Sequence, residues 1–213
     1  MNTLILFDID GTLFQTERVT VPAVQQTLSQ FGCPVPDAET IRRWIGSPVS
    51  DYHAWLARQC PADLAADIVA ATDARELALI AEAGALYPGV CETLERLSAE
   101  GAILAAYSNG PENYVAAILD TFGLHRLLSA VRVRGNGPNG KEAMIGQIME
   151  MFPTHRTVVV GDRKEDMTAA HANGALAVGA LYGFGAPYEL RDADACVTAA
   201  GEVPATIRRL TLS

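Results

Sequence analysis

The chain has 213 residues and a formal net charge of −9, from 25 acidic and 16 basic side chains. That length suits one domain, or one domain with an insertion, and the acidic balance excludes nonspecific binding to nucleic acid polymers or anionic membrane, whose phosphates the whole-molecule field repels. Hydrophobic residues at 49% and charged residues at 19% give an ordinary globular balance and exclude a disordered chain.

The N-terminus reads MNTLILFDIDGTL. Its apolar run is short and ends in carboxylates, so it predicts neither a signal peptide nor a membrane span, and a cytoplasmic protein is expected. LILF at 4–7 is predicted as a buried strand bounded by Asp8. Residues 15–86 then carry only helical patterns: TVPAVQQTLSQF, AETIRRWI, SDYHAWLARQ and the long PADLAADIVAATDARELALIAEAGAL. An all-helical block closed by Leu86-Tyr87-Pro88-Gly89 predicts a smaller inserted domain over 15–86, with a core built from 1–14 and 87–213. Its connections near 14–17 and 84–89 are candidate hinges.

Beyond residue 90 short apolar runs alternate with amphipathic stretches. AILAAY at 102–107, LLSAVRV at 127–133, TVVVG at 157–161 and ALAVGAL at 175–181 are predicted strands. Helical patterns lie near 90–100, 111–123, 140–151, 164–173 and 201–210. Such alternation predicts an α/β fold, a parallel sheet covered by helices on both faces. Ligands of such sheets collect at the carboxyl ends of the strands. The four cysteines are widely spaced, with no C-x-x-C pair, and are expected to be unreactive thiols in a reducing compartment.

Polar clusters fall at those strand ends: Asp8-Ile9-Asp10-Gly11-Thr12, Ser108-Asn109-Gly110, and Gly161-Asp162-Arg163-Lys164-Glu165-Asp166, with Lys141 opening a helix. Singly, each has an ordinary reading as a cap, a turn or a solvated side chain. The sheet rule brings all four to one crevice. Asp8, Asp162 and Asp166 are hard oxygen ligands suited to Mg²⁺, and packed together they repel one another without a cation. Lys141 adds a point positive charge, and Ser108 a hydroxyl donor for a phosphoryl oxygen. Asp10, in a tight turn beside Asp8, is placed for general acid and base work. Only two lysines occur in the whole chain, Lys141 and Lys164, and both lie in or next to these clusters.

These motifs make the chain resemble the haloacid-dehalogenase superfamily of phosphohydrolases along essentially its whole length. The family's Asp-x-Asp-Gly-Thr motif stands here as Asp8 to Thr12, its strand-ending Ser or Thr as Ser108, its Lys as Lys141, and its Gly-Asp-x-x-x-Asp as Gly161, Asp162 and Asp166. Many relatives follow the Lys with Pro, where this sequence has Glu142. The resemblance implies a Rossmann-like core and a helical cap of the phosphoglycolate-phosphatase-like branch. It implies Mg²⁺ held by Asp8, the Asp10 carbonyl and Asp162, with Asp166 helping directly or through water. It also makes Asp8 the nucleophile and Asp10 the acid and base in hydrolysis of a small phosphorylated metabolite. Thr12, Ser108, Asn109 and Lys141 form the candidate phosphate-binding group. Dehalogenase members lack the second acid of the first motif, so Asp10 points to phosphate chemistry.

Gly135 to Lys141 matches G-x-x-x-x-G-K of a nucleotide-binding P-loop, but Glu142 replaces the Ser or Thr that ligates Mg²⁺. A sugar-phosphate phosphomutase would use the same motifs, and a non-catalytic binding protein is disfavoured by the intact set. In the helical block, Arg42 and Arg43 are the best cations for a second anionic group, and Gly46 lies at a helix break that faces the crevice. Phe14, Gln15 and Thr16, close to the first motif, are expected to line the pocket. His53 and Trp55 are assigned to the core of the helical block, and His171 to packing or surface.

Overall fold

Strand β1 (Thr3–Asp8) is buried along its whole length, so it must sit in the middle of a sheet with both faces covered. The computed structural model describes residues 3–134, 140–153 and 156–212. It builds a six-stranded parallel sheet in the order β3-β2-β1-β4-β5-β6, with β2 at Ile103–Ser108, β3 at Ala130–Val133, β4 at Arg156–Gly161, β5 at Leu176–Ala180 and β6 at Ala195–Val197. The expected α/β, Rossmann-like core is present. Alternation along β1 sends Ile5 and Phe7 to one apolar cluster and Leu4 and Leu6 to another on the opposite face. Strand β6 is absent from the sequence reading. Three residues at a sheet edge carry too little periodicity to announce a strand.

Helices α1 (Glu17–Gln30), α2 (Ala38–Arg42), α3 (Val49–Ala57) and α4 (Ala65–Ala83) follow β1 with no strand of the sheet between them. They share their own apolar cluster, in which Leu28, Ile41, Trp55 and Ile68 are buried. Trp44 stacks on Trp55 with ring centroids 5.5 Å apart. His53 lies at the side of this block, its Nε2 3.0 Å from Asp73. The chain leaves the sheet and returns to it at adjacent points. Gln15 N donates to the Ala85 carbonyl at 2.9 Å, and Tyr87 N donates to Leu13 at 3.0 Å.

The remaining helices are α5 (Val90–Ala99), α6 (Glu112–Thr121), α7 (Lys141–Met151), α8 (Lys164–Ala172) and α9 (Val203–Leu212). Helix α4 packs on α6, which joins the helical block to the sheet's neighbours. Residues 135–139, most of the P-loop-like segment, lie outside the described residues. His171 is on α8, its Nε2 3.1 Å from Asp194 at the surface. Among the described residues no helix is long and apolar enough to cross a membrane.

Candidate active site

The chain order reverses across β1, whose neighbours β2 and β4 begin the two halves of the sheet, so its carboxyl end opens the crevice where such sheets bind ligands. Register sets the contents: Asp8 pairs with Tyr107 on β2, and Phe7 pairs with Val160 on β4. Asp8 ends β1, Ser108 ends β2 and Asp162 follows β4, all within one residue of the same level. Gly11 turns the chain here with φ of +85°, and a side chain at this position would collide with the Asp162 carboxylate and the Phe184 ring. Glycine is demanded twice over, by backbone conformation and by space.

Lys141 opens α7 but points inward, only 1% exposed. Its Nζ lies 2.7 Å from Asp166 Oδ1 and 3.2 Å from Asp8 Oδ2. Burial opposes its charge, yet the Asp166 and Asp8 carboxylates outweigh that and hold the ammonium above its usual range. Asp166 is fully engaged. Its Oδ1 also accepts the Tyr107 hydroxyl at 2.8 Å, and its Oδ2 accepts the Arg163 backbone N–H at 2.9 Å, fastening the start of α8. Lys164, by contrast, is exposed at that helix start.

Asp8 and Asp162 are under-satisfied. Asp162 Oδ2 accepts the Phe184 N–H at 2.7 Å, while its Oδ1 and Asp8 Oδ2 have no hydrogen bond although both are buried. Burial pushes the Asp8 carboxyl well above its usual range; Lys141 pulls it down, and Asp166, Asp162 and Asp10 push it up again. Burial, with Asp166 next, pushes Asp162 to about 6. Ligand oxygens of Asp8, Asp162 and Asp166 all fall within 4.8 Å of one another. Three buried carboxylates face one ammonium; Asp162 Oδ1 has no partner, and Asp8 Oδ2 has only the Lys141 ammonium at 3.2 Å. That donor set fits a hard divalent cation. Asp8 and Asp162 have the oxygens to give, whereas Asp166 is already spent on Lys141, Tyr107 and Arg163.

Asp10 is held by three donors. Thr16 Oγ1 and the Tyr114 hydroxyl reach its Oδ1 at 2.8 and 3.0 Å, and Ser108 Oγ reaches its Oδ2 at 2.9 Å. Ser108 also accepts the Gly110 N–H at 2.8 Å, so its hydroxyl hydrogen is directed to Asp10. Among the candidate phosphate binders, Thr12 has a buried hydroxyl without a partner. Asn109 is turned toward the helical block: its Nδ2 donates to the Gly46 carbonyl at 2.9 Å and to Glu165 at 3.3 Å. Arg163 donates to the neighbouring Ile45 carbonyl at 2.8 Å. Gly46 thus does reach the crevice, as a docking point.

A cavity of about 60 Å³ opens over Asp10 between the sheet and the helical block. Thr16 and Gly46 line it, together with Trp44, Tyr52, Glu76 and Tyr114, none of which the sequence reading selected. Tyr107 immediately precedes Ser108, and Tyr114 stands six residues beyond it. Glu76 had a visible signal: it interrupts the buried stripe Ile68, Thr72, Glu76, Ile80 of α4. The other expectations for this block need correction. Phe14 is fully buried, packed on Tyr114 and Phe122 because an aromatic ring at the strand-end turn belongs to the core. Gln15 spends its side chain on the Leu86 carbonyl at 2.7 Å, tying the two connections together. Arg42 and Arg43 are exposed at the C-terminal end of α2 and line a different cleft with Tyr87 and Tyr182; Arg43 pairs with Glu39 one helical turn away.

The family profile of the haloacid dehalogenase-like hydrolases matches residues 5–180. The chain belongs to this family. A phosphoglycolate phosphatase of Haemophilus influenzae is 33% identical over 206 residues, covering 86% of this chain and 89% of that relative. One from Pseudomonas syringae pv. syringae is 33% identical over 191 residues, covering 85% and 70%. The crystal structure of a predicted phosphoglycolate phosphatase from Haemophilus somnus superposes with a TM-score of 0.88 at 26% identity, covering 97% of this chain and 99% of that one. This haloacid dehalogenase-like hydrolase is a phosphohydrolase.

Proposed function

We propose that this hydrolase is a Mg²⁺-dependent phosphatase that cleaves a small phosphate monoester through a phosphoenzyme on Asp8. The proposal rests on one observation: three buried carboxylates, at the end of β1, just after β4 and in the first turn of α8, gather beside a single ammonium that pairs with two of them, and one oxygen each of Asp8 and Asp162 accepts no hydrogen bond. Asp8, Asp162 and the Asp10 carbonyl that the family resemblance adds would hold Mg²⁺, with Asp166 behind them. When bound, the ion neutralises charge between carboxylate and phosphoryl group.

Asp8 attacks phosphorus, the bond from phosphorus to the ester oxygen breaks, and Asp10 gives its proton to the departing oxygen. Asp10 then takes a proton from water as that water attacks the aspartyl phosphate, releasing inorganic phosphate and restoring Asp8. Lys141, and the Thr12 hydroxyl that lacks a partner, are the donors for the phosphoryl oxygens. Thr16, Tyr114 and Ser108 keep Asp10 aimed during both proton transfers. Residues 15–86 serve as the cap, hinged where Gln15 meets Ala85, with 1–14 and 87–213 as the core.

The test is phosphate release from an aryl phosphate and a set of small monoesters, with Mg²⁺ and with EDTA. Release that requires Mg²⁺ and falls by roughly a thousandfold or more in Asp8→Asn is the expected result. Full activity in Asp8→Asn removes the mechanism. Independently of turnover, Mg²⁺ should raise the melting temperature, and Asp162→Asn should abolish that rise.

A further inference from the structure

We propose, building on the phosphatase function proposed for this site, that the departing alcohol carries hydroxyl or ammonium donors and no second anionic group, and that Glu76 is the residue that selects it. The cavity over Asp10 is where that alcohol must lie, since Asp10 is its proton donor. Glu76 lines the same cavity, deep in α4 and only 8% exposed. Its Oε1 accepts the Tyr52 hydroxyl at 2.9 Å. A carboxylate has about four acceptor positions, so Glu76 keeps capacity for an incoming donor.

No Lys, Arg or His lines this cavity among the described residues, and the undescribed segment 135–139 carries no charged residue. Arg42, Arg43 and Arg163 border another cleft; Arg43 and Arg163 also border a recess that shares Ile45, Gly46 and Ser47 with this cavity, but there Arg43 pairs with Glu39, and Arg163 is held by the Ile45 carbonyl and Glu189. His53 borders an adjoining cavity on the far side of Glu76 and is taken up by Asp73. A carboxylate or second phosphate on the departing group would therefore meet two fixed carboxylates, Asp10 and Glu76, with no cation to receive it. The remaining walls, Trp44, Ile45, Val49 and Pro111, suit a short carbon skeleton. Amino alcohols and polyols share the required chemistry. Glycolate, the alcohol named by the relatives, does not.

The experiment compares kcat/KM at pH 8 for three esters, phosphoethanolamine, glycerol 1-phosphate and 2-phosphoglycolate, with p-nitrophenyl phosphate as a generic ester. One or both of the first two should exceed 2-phosphoglycolate by about tenfold or more, and which of them leads tells ammonium from hydroxyl recognition. Glu76→Gln should shrink that ratio severalfold, chiefly through KM, with folding checked by thermal unfolding. A wild-type preference for 2-phosphoglycolate overturns the inference whatever the variant does. So does a ratio that Glu76→Gln, once folded, leaves unchanged. Release from p-nitrophenyl phosphate alongside either result leaves the phosphatase function standing; no release from any ester overturns both.

Discussion

Lys141 Nζ lies 2.7 Å from Asp166 Oδ1, and neither side chain is more than 1% exposed. A buried pair of this kind is costly to break from one side, because the surviving charge is stranded. Lys141→Met should lower stability by about 3–5 kcal/mol in urea unfolding. An unchanged midpoint would mean that the three carboxylates do not depend on this ammonium.

Tyr114 and Asp10 make a second testable pair. Tyr114→Phe removes one of the three donors to the carboxylate and leaves Thr16 and Ser108 in place. Turnover should fall roughly tenfold with KM little altered, since what is lost is the aim of a proton-transferring group rather than a substrate contact. A change confined to KM would instead assign Tyr114 to binding.

Asn109 should act at the seam. Its amide bonds the Gly46 carbonyl while Arg163 bonds Ile45, and these bonds fasten the loop after α2 to the sheet side. Asn109→Ala should speed backbone amide exchange over residues 44–48 and raise KM severalfold, without speeding exchange in β1. Equal acceleration in β1 would point to global loosening.

Glu76 gives a pH dependence of defined sign. Burial raises its carboxyl from 4.5 to about 7, against the Tyr52 hydrogen bond and together with the charges of Asp73 and Asp10, while His53 lies beside Asp73. The native state thus binds the proton more tightly than the unfolded chain. Its contribution to stability is full below pH 4.5, declines as pH climbs through about 7, and costs about 3 kcal/mol above that. Glu76→Gln should be more stable than wild type by about 1–3 kcal/mol at pH 8, with the gap closing toward pH 5. Urea unfolding at the two pH values reads this directly, and a gap that does not change with pH would contradict it.

The strands that carry the site were legible because both faces of β1, β2 and β4 are buried, which leaves unbroken apolar runs ending in polar clusters. The motif residues were legible for the same local reason. What escaped depends on packing between distant segments. Tyr114 reaches Asp10 only because α6 follows the end of β2, and Glu76 reaches the same cavity only because α4 packs on α6. Arg42 and Arg43 show the opposite case. Their helix was visible, but which of two clefts it faced was not.

The paired connections have a consequence for the molecule's architecture. The chain exits the core at Gln15 and re-enters at Ala85, one backbone hydrogen bond apart. The sheet therefore experiences everything between those residues as a hairpin loop, whatever its size. Helices α1 to α4 meet the sheet through two neighbouring strand-end connections, and beyond those through Thr16 on Asp10, α4 on α6 and Asn109 on Gly46, so a change in the block reaches the site by these contacts and not through strand register.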